Sequence, residues 1–146
     1  NVLPVPRRNR ASACGPEKDF VLTVQTAVTT LCPCSKAIAR YGAHNQRGNV
    51  TVALRSEKTV WIEEVIAMVE NSASSELYAL LKREDEKAVT EQAYDNPMFV
   101  EDMVRNVAQL LQKDPRVAWF RVHAVNQESI HNHNAFAQLE WRRPAS

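Results

Sequence analysis

Two-residue alternation of apolar and polar side chains brackets this chain, and helical spacing fills its middle. Phe20, Leu22, Val24, Thr26 and Val28 alternate with Val21, Thr23, Gln25 and Ala27, so successive side chains point to opposite faces, as in a strand. Pro33 stops the run, since it has no backbone N–H for a ladder. A second strand is expected over residues 49–57, with Val50, Val52 and Leu54 on one face. Two more are expected over 116–126 and 135–142, joined by the polar segment 127–134. Between the pairs, Ile62, Val65, Ile66 and Val69 recur at i, i+3, i+4 and i+7, the stripe of an amphipathic helix. Strand, strand, helices, strand, strand is an α+β order: an antiparallel sheet with helices packed on one face. Such a sheet has open edges and calls for a partner.

The remaining local signals are weaker. Residues 35–41 suit a short helix with Ser35 as N-cap and Gly42 as terminator. Leu77, Leu80 and Leu81 extend helical spacing over 75–83, and the charged run 82–87 reads on its own as a solvated turn. The best marked helix has Asp95 or Asn96 as cap, Pro97 at its first position and an apolar stripe of Phe99, Met103, Val107, Leu110 and Leu111, ending at Asp114-Pro115. Residues 1–19, with three Pro and three Arg, read as a linker or partial domain edge, and 20–146 as one domain. The start at Asn1 rather than Met reads as a piece of something longer.

Composition narrows the function classes. Lys and Arg total 18 against 17 Asp and Glu, a net charge of +1, which leaves no basic footprint for nucleic acid. No apolar stretch approaches the ~20 residues that span a bilayer, so no membrane partner is expected. Only three residues are Gly, so neither the P-loop nor the dinucleotide-binding glycine pattern can be written. Cys14, Cys32 and Cys34 are an odd set with two members one residue apart, a poor disulfide framework that favours a reduced, cytoplasmic setting.

Candidate chemistry gathers in two turn segments. Cys32-Pro33-Cys34 and His44 form one group, and His131 and His133 the other; thiols and imidazoles of this kind hold zinc. The same residues also read blandly, as two small buried cysteines, a loop histidine and an Asn-rich hairpin. Among Glu86, Glu91, Glu101 and Glu128 composition does not choose, and Glu101 has an ordinary role near a helix N-terminus.

Five blocks carry a resemblance: TLCPCSK (30–36), YGAHNQRG (41–48), LKREDEK (81–87), AYDNP (93–97) and NQESIHNHNA (126–135). In this order they resemble the signature blocks of the prokaryotic type IB GTP cyclohydrolase I, matching from about Phe20 onward and covering the C-terminal portion of a longer family. The resemblance implies a tunnelling fold whose sheets close into an intersubunit barrel in a homo-oligomer, a tetramer with sites at subunit interfaces. It implies conversion of GTP and water to 7,8-dihydroneopterin triphosphate and formate, the first step of tetrahydrofolate biosynthesis, by metal-activated water attacking purine C8. It assigns a divalent metal (zinc, or manganese or iron) to Cys32, His44 and Glu86, and the guanine to Glu101. His131 and His133 become proton-transfer residues, Glu128 a positioning group, and Cys34 a neighbour of the metal or a nucleophile. Lys36 and Arg47 are the nearest cations for the triphosphate. Two other readings stay open: a tunnelling-fold nitrile reductase of queuosine biosynthesis, which uses a cysteine nucleophile, and a non-catalytic metal-binding assembly module.

Overall fold

The computed structural model describes residues 20–144; the expected linker at 1–19, with Cys14, lies outside them. Four strands, β1 (Leu22–Leu31), β2 (Asn45–Ser56), β3 (Val117–Gln127) and β4 (Ala135–Arg142), form one antiparallel sheet in the order β1-β2-β3-β4. The helices are α1 (Pro33–Ile38), α2 (Ile62–Glu70), α3 (Arg83–Asp95) and α4 (Val100–Lys113). The expected α+β class and the antiparallel sheet are therefore observed. Among the described residues no helix is long and apolar enough to cross a membrane.

Inward positions of the strands alternate as the sequence pattern requires. Val24, Val28, Val50, Val52, Leu54, Phe120 and Val122 are buried, and α2 and α4 cover them with Val65, Val69, Met103, Val107 and Leu111. The α4 stripe is thus the expected one, except that Phe99 and Leu110 stay partly exposed, at 43% and 39%. Phe120 stacks on Trp141 with ring centroids 5.4 Å apart, tying β4 to β3 beneath α4.

Several boundaries differ from the sequence expectation. β2 begins at Asn45, so Gly48, expected in a loop, lies inside a strand opposite Asn126. α1 starts at Pro33 with Cys32, not Ser35, as its N-cap. No helix forms over 75–82: Ser75 bridges to Thr29, and the Leu31 N–H donates to Ser74 Oγ at 3.0 Å, so partners on β1 hold the start of this segment out of a helix. The charged run, expected as a turn, instead opens α3. Its first turn carries Glu84, Asp85 and Glu86, acidic side chains that the helix dipole favours at an N-terminus. Asn96 closes α3 rather than opening the next helix, and α4 starts later, after Phe99.

Arg116 fastens α2 to the start of β3. Its guanidinium donates to Glu64 Oε1 at 2.8 Å, Asp114 Oδ2 at 2.7 Å and the Thr59 carbonyl at 3.0 Å. The Arg116 hydrogen bond is the main cause holding both the Glu64 and Asp114 carboxyls below their ordinary range, helped at Glu64 by the Trp61 N–H. A depressed folded value means that the unfolded chain binds more protons, so the stabilisation is present above the ordinary carboxylate values (~4) and lost as pH falls below them. Arg116→Met is expected to lower stability between pH 6 and 8, where this stabilisation is fully present, and to move the acid-unfolding midpoint to higher pH. A midpoint equal to that of the parent chain would sink this account.

Candidate active site

The site forms where the ends of β2 and β3 meet the N-terminus of α4. A cavity of about 300 Å³ there is lined by Cys32, Cys34, Glu101, Glu128, His131 and His133, among others, at the lower end of the range for small-molecule sites (~300–1,000 Å³). Residues as far apart in sequence as Cys32 and His133 thus line one cavity. The turn after β3 brings the His131 and His133 rings together, stacked with centroids 5.1 Å apart. Glu101 sits in the first turn of α4, and a carboxylate there has two oxygens with which to accept two N–H bonds.

A small hydrogen-bond net joins Cys32 to His44. The Cys32 N–H donates to the His44 carbonyl at 3.1 Å. Ser35 Oγ donates to the Cys32 carbonyl at 3.1 Å and accepts the His44 N–H at 3.2 Å. Cys32 Sγ caps α1 by accepting the Ser35 N–H at 3.4 Å. His44 Nδ1 lies 3.2 Å from Ser129 Oγ, which orients the ring and leaves Nε2 open. Both Cys32 and Cys34 are free thiols.

Other expected site residues stand elsewhere. Glu86 lies on the exposed start of α3, lining a separate depression with Arg83, Lys87, Thr90 and Glu91. Among the described residues no group of three His, Cys, Asp or Glu side chains is arranged to hold an ion. A thiolate and an imidazole at Cys32 and His44 fit two positions of a metal's donor set; Glu86 does not join them within this chain. Lys36 is engaged with Tyr94, its ammonium 4.2 Å from the ring centroid and donating to the Tyr94 carbonyl. Arg47 alternates with Gln46 and Gly48 along β2 and so points to the opposite face of the sheet from them.

Two residues of this cavity were not expected. Gln46 and Asn126 line it, and both are buried polar side chains. A signal was available: each is an amide at an inward position of a strand, where the alternation calls for an apolar side chain.

The family described as type I GTP cyclohydrolase folE2 matches residues 5–137. The chain belongs to this family. Curated relatives named GTP cyclohydrolase FolE2 include those of Syntrophotalea carbinolica, 58% identical over 125 residues (86% of this chain and 47% of the relative), and Syntrophus aciditrophicus, 59% over 124 residues (85% and 49%). That of Magnetococcus marinus is 60% identical over 121 residues (83% and 46%). The chain spans about half the length of the curated relatives it matches. In this FolE2 family member cysteine, glutamate and histidine side chains line one cavity.

Proposed function

We propose that the protein is a GTP cyclohydrolase of the prokaryotic type IB kind, hydrolysing GTP to 7,8-dihydroneopterin triphosphate and formate in tetrahydrofolate biosynthesis. The observation that carries this reading is the meeting of Glu101, Glu128, His131, His133 and Cys32 around one cavity in a chain of the FolE2 family. Glu101 accepts hydrogen bonds from guanine N1–H and the exocyclic amine, a pattern that an ionised carboxylate supplies. That fixes the base and leaves its imidazole ring toward the histidines. His131 and His133 move protons near C8 and the departing formyl group, because an imidazole can both accept and donate a proton through its ring nitrogens. Glu128 orients one of them, and Cys34 is a bystander.

A divalent metal, zinc or manganese or iron, with Cys32 and His44 among its ligands would supply an acidified water and polarise the electrophile. Glu86 stands apart from them within this chain, so in this reading it would act as the third ligand from a neighbouring subunit. Metal content of the full chain is expected to fall in Cys32→Ala and His44→Ala, and retention of full metal by Glu86→Ala would remove Glu86 from the set.

No cation among the proposed site residues faces the cavity, since Lys36 is held by Tyr94 and Arg47 lies across the sheet. The triphosphate therefore extends outward, toward a neighbouring subunit. β4 forms an edge of the sheet, which supports assembly into a homo-oligomer, a tetramer in this proposal, with sites at subunit boundaries. Free thiols suit a cytoplasmic location. The metal-loaded full chain is expected to release formate and a fluorescent pterin from GTP; absence of both products overturns the assignment.

A further inference from the structure

Asn126 is 1% exposed, and its Oδ1 has no hydrogen-bond partner among the described residues. A buried amide oxygen left unpaired is unfavourable, so its retention needs a reason. The residues paired with it directly across the sheet carry no polar side chain. The strand positions opposite are Gly48 on β2 and Ala135 on β4. Gly48 is what lets the carboxamide lie where it does: a Cβ on Gly48 would sit 2.8 Å from Asn126 Oδ1, closer than van der Waals contact allows. Gln46, whose Oε1 is also unpaired, differs in one respect. Its opposite residue on β1 is Thr30, a polar side chain, whereas the residues directly opposite Asn126 carry none. Both amides line the cavity that holds Glu101, with Gln46 two residues before Gly48 on β2.

We infer that Asn126, seated over Gly48, is a specificity residue that accepts a hydrogen bond from the base's exocyclic amine. This rests on the GTP reading above. Glu101, accepting from N1–H and one amine hydrogen, leaves the second amine hydrogen without an acceptor. Asn126 supplies one, because a carboxamide turns easily about its terminal torsion and brings its oxygen to the cavity once a donor arrives. Purines lacking the 2-amino group leave that oxygen orphaned, so they are disfavoured.

The test measures binding constants of GTP and inosine triphosphate, which lacks the amine, to the full chain by titration calorimetry. Asn126→Leu is expected to reduce the preference for GTP over inosine triphosphate by about tenfold, the worth of one hydrogen bond, with inosine triphosphate binding little changed. Gly48→Ala, which pushes the carboxamide aside but keeps it, is expected to erode the same preference and carries the test should Asn126→Leu not fold. If the preference is unchanged in both variants, or both nucleotides weaken equally, Asn126 does not read the amine, while the GTP assignment stands on the parent chain's own binding and products. A parent chain that binds neither nucleotide overturns both.

Discussion

If the proposed function holds, Glu101→Gln is expected to lower kcat/KM for GTP in the full chain by about 10²- to 10³-fold, carried mainly by KM. Hydrogen bonds to a charged group are worth about 1.5–3 kcal/mol each, and this carboxylate is assigned two. Gln keeps one acceptor and turns an N–H toward the guanine N–H edge, so one bond is lost and a donor meets a donor. The position of Glu101 in the first turn of α4 also gives it a merely electrostatic role toward the helix dipole, worth ~0.3–1 kcal/mol of stability. Steady-state kinetics with thermal unfolding separate the two. A small loss of stability with unchanged KM would mean that Glu101 serves the helix and not the base.

Phe120→Ala destabilises the domain by about 3–5 kcal/mol, the usual cost of emptying a buried aromatic site. Phe120 is 1% exposed and stacks on Trp141 with an interplanar angle of 26°. Its removal opens a void beneath α4 and frees β4, whose start adjoins the cavity through Ala135. Denaturant unfolding is expected to show the loss as a lower midpoint. Gln25→Ala, on the exposed face of β1, is expected to change stability by no more than about 0.5 kcal/mol. Similar effects from both substitutions would contradict the placement of the core on the helical side of the sheet.

Strands and stripes were legible because their causes are local. The expected bounds of β4 agree with the observed Ala135–Arg142, and the Met103, Val107 and Leu111 stripe of α4 is buried as its spacing requires. Misreadings arose where distant partners overrule propensity. The leucines over 77–81 suggest a helix, yet Ser74 and Ser75 bond to β1 and no helix forms there. Run 82–87 looks like a turn by charge alone, whereas its acidic residues fall in the first turn of α3. A helix start was readable there, with three acidic residues placed as the dipole favours.

The sequence by itself determined the α+β class, the strand alternation, and the stock of thiols, imidazoles and carboxylates from which a site is built; each follows from residue identity and short-range periodicity. Only the tertiary structure decided which of them share a cavity. It brought Cys32, Glu101, Glu128, His131 and His133 around one cavity, left Glu86 apart on α3, and turned Lys36 to Tyr94. It also set Asn126 over Gly48. Convergence depends on strand register and on the line along which α4 crosses the sheet, and both are set by packing across the whole core rather than by any stretch of neighbouring residues.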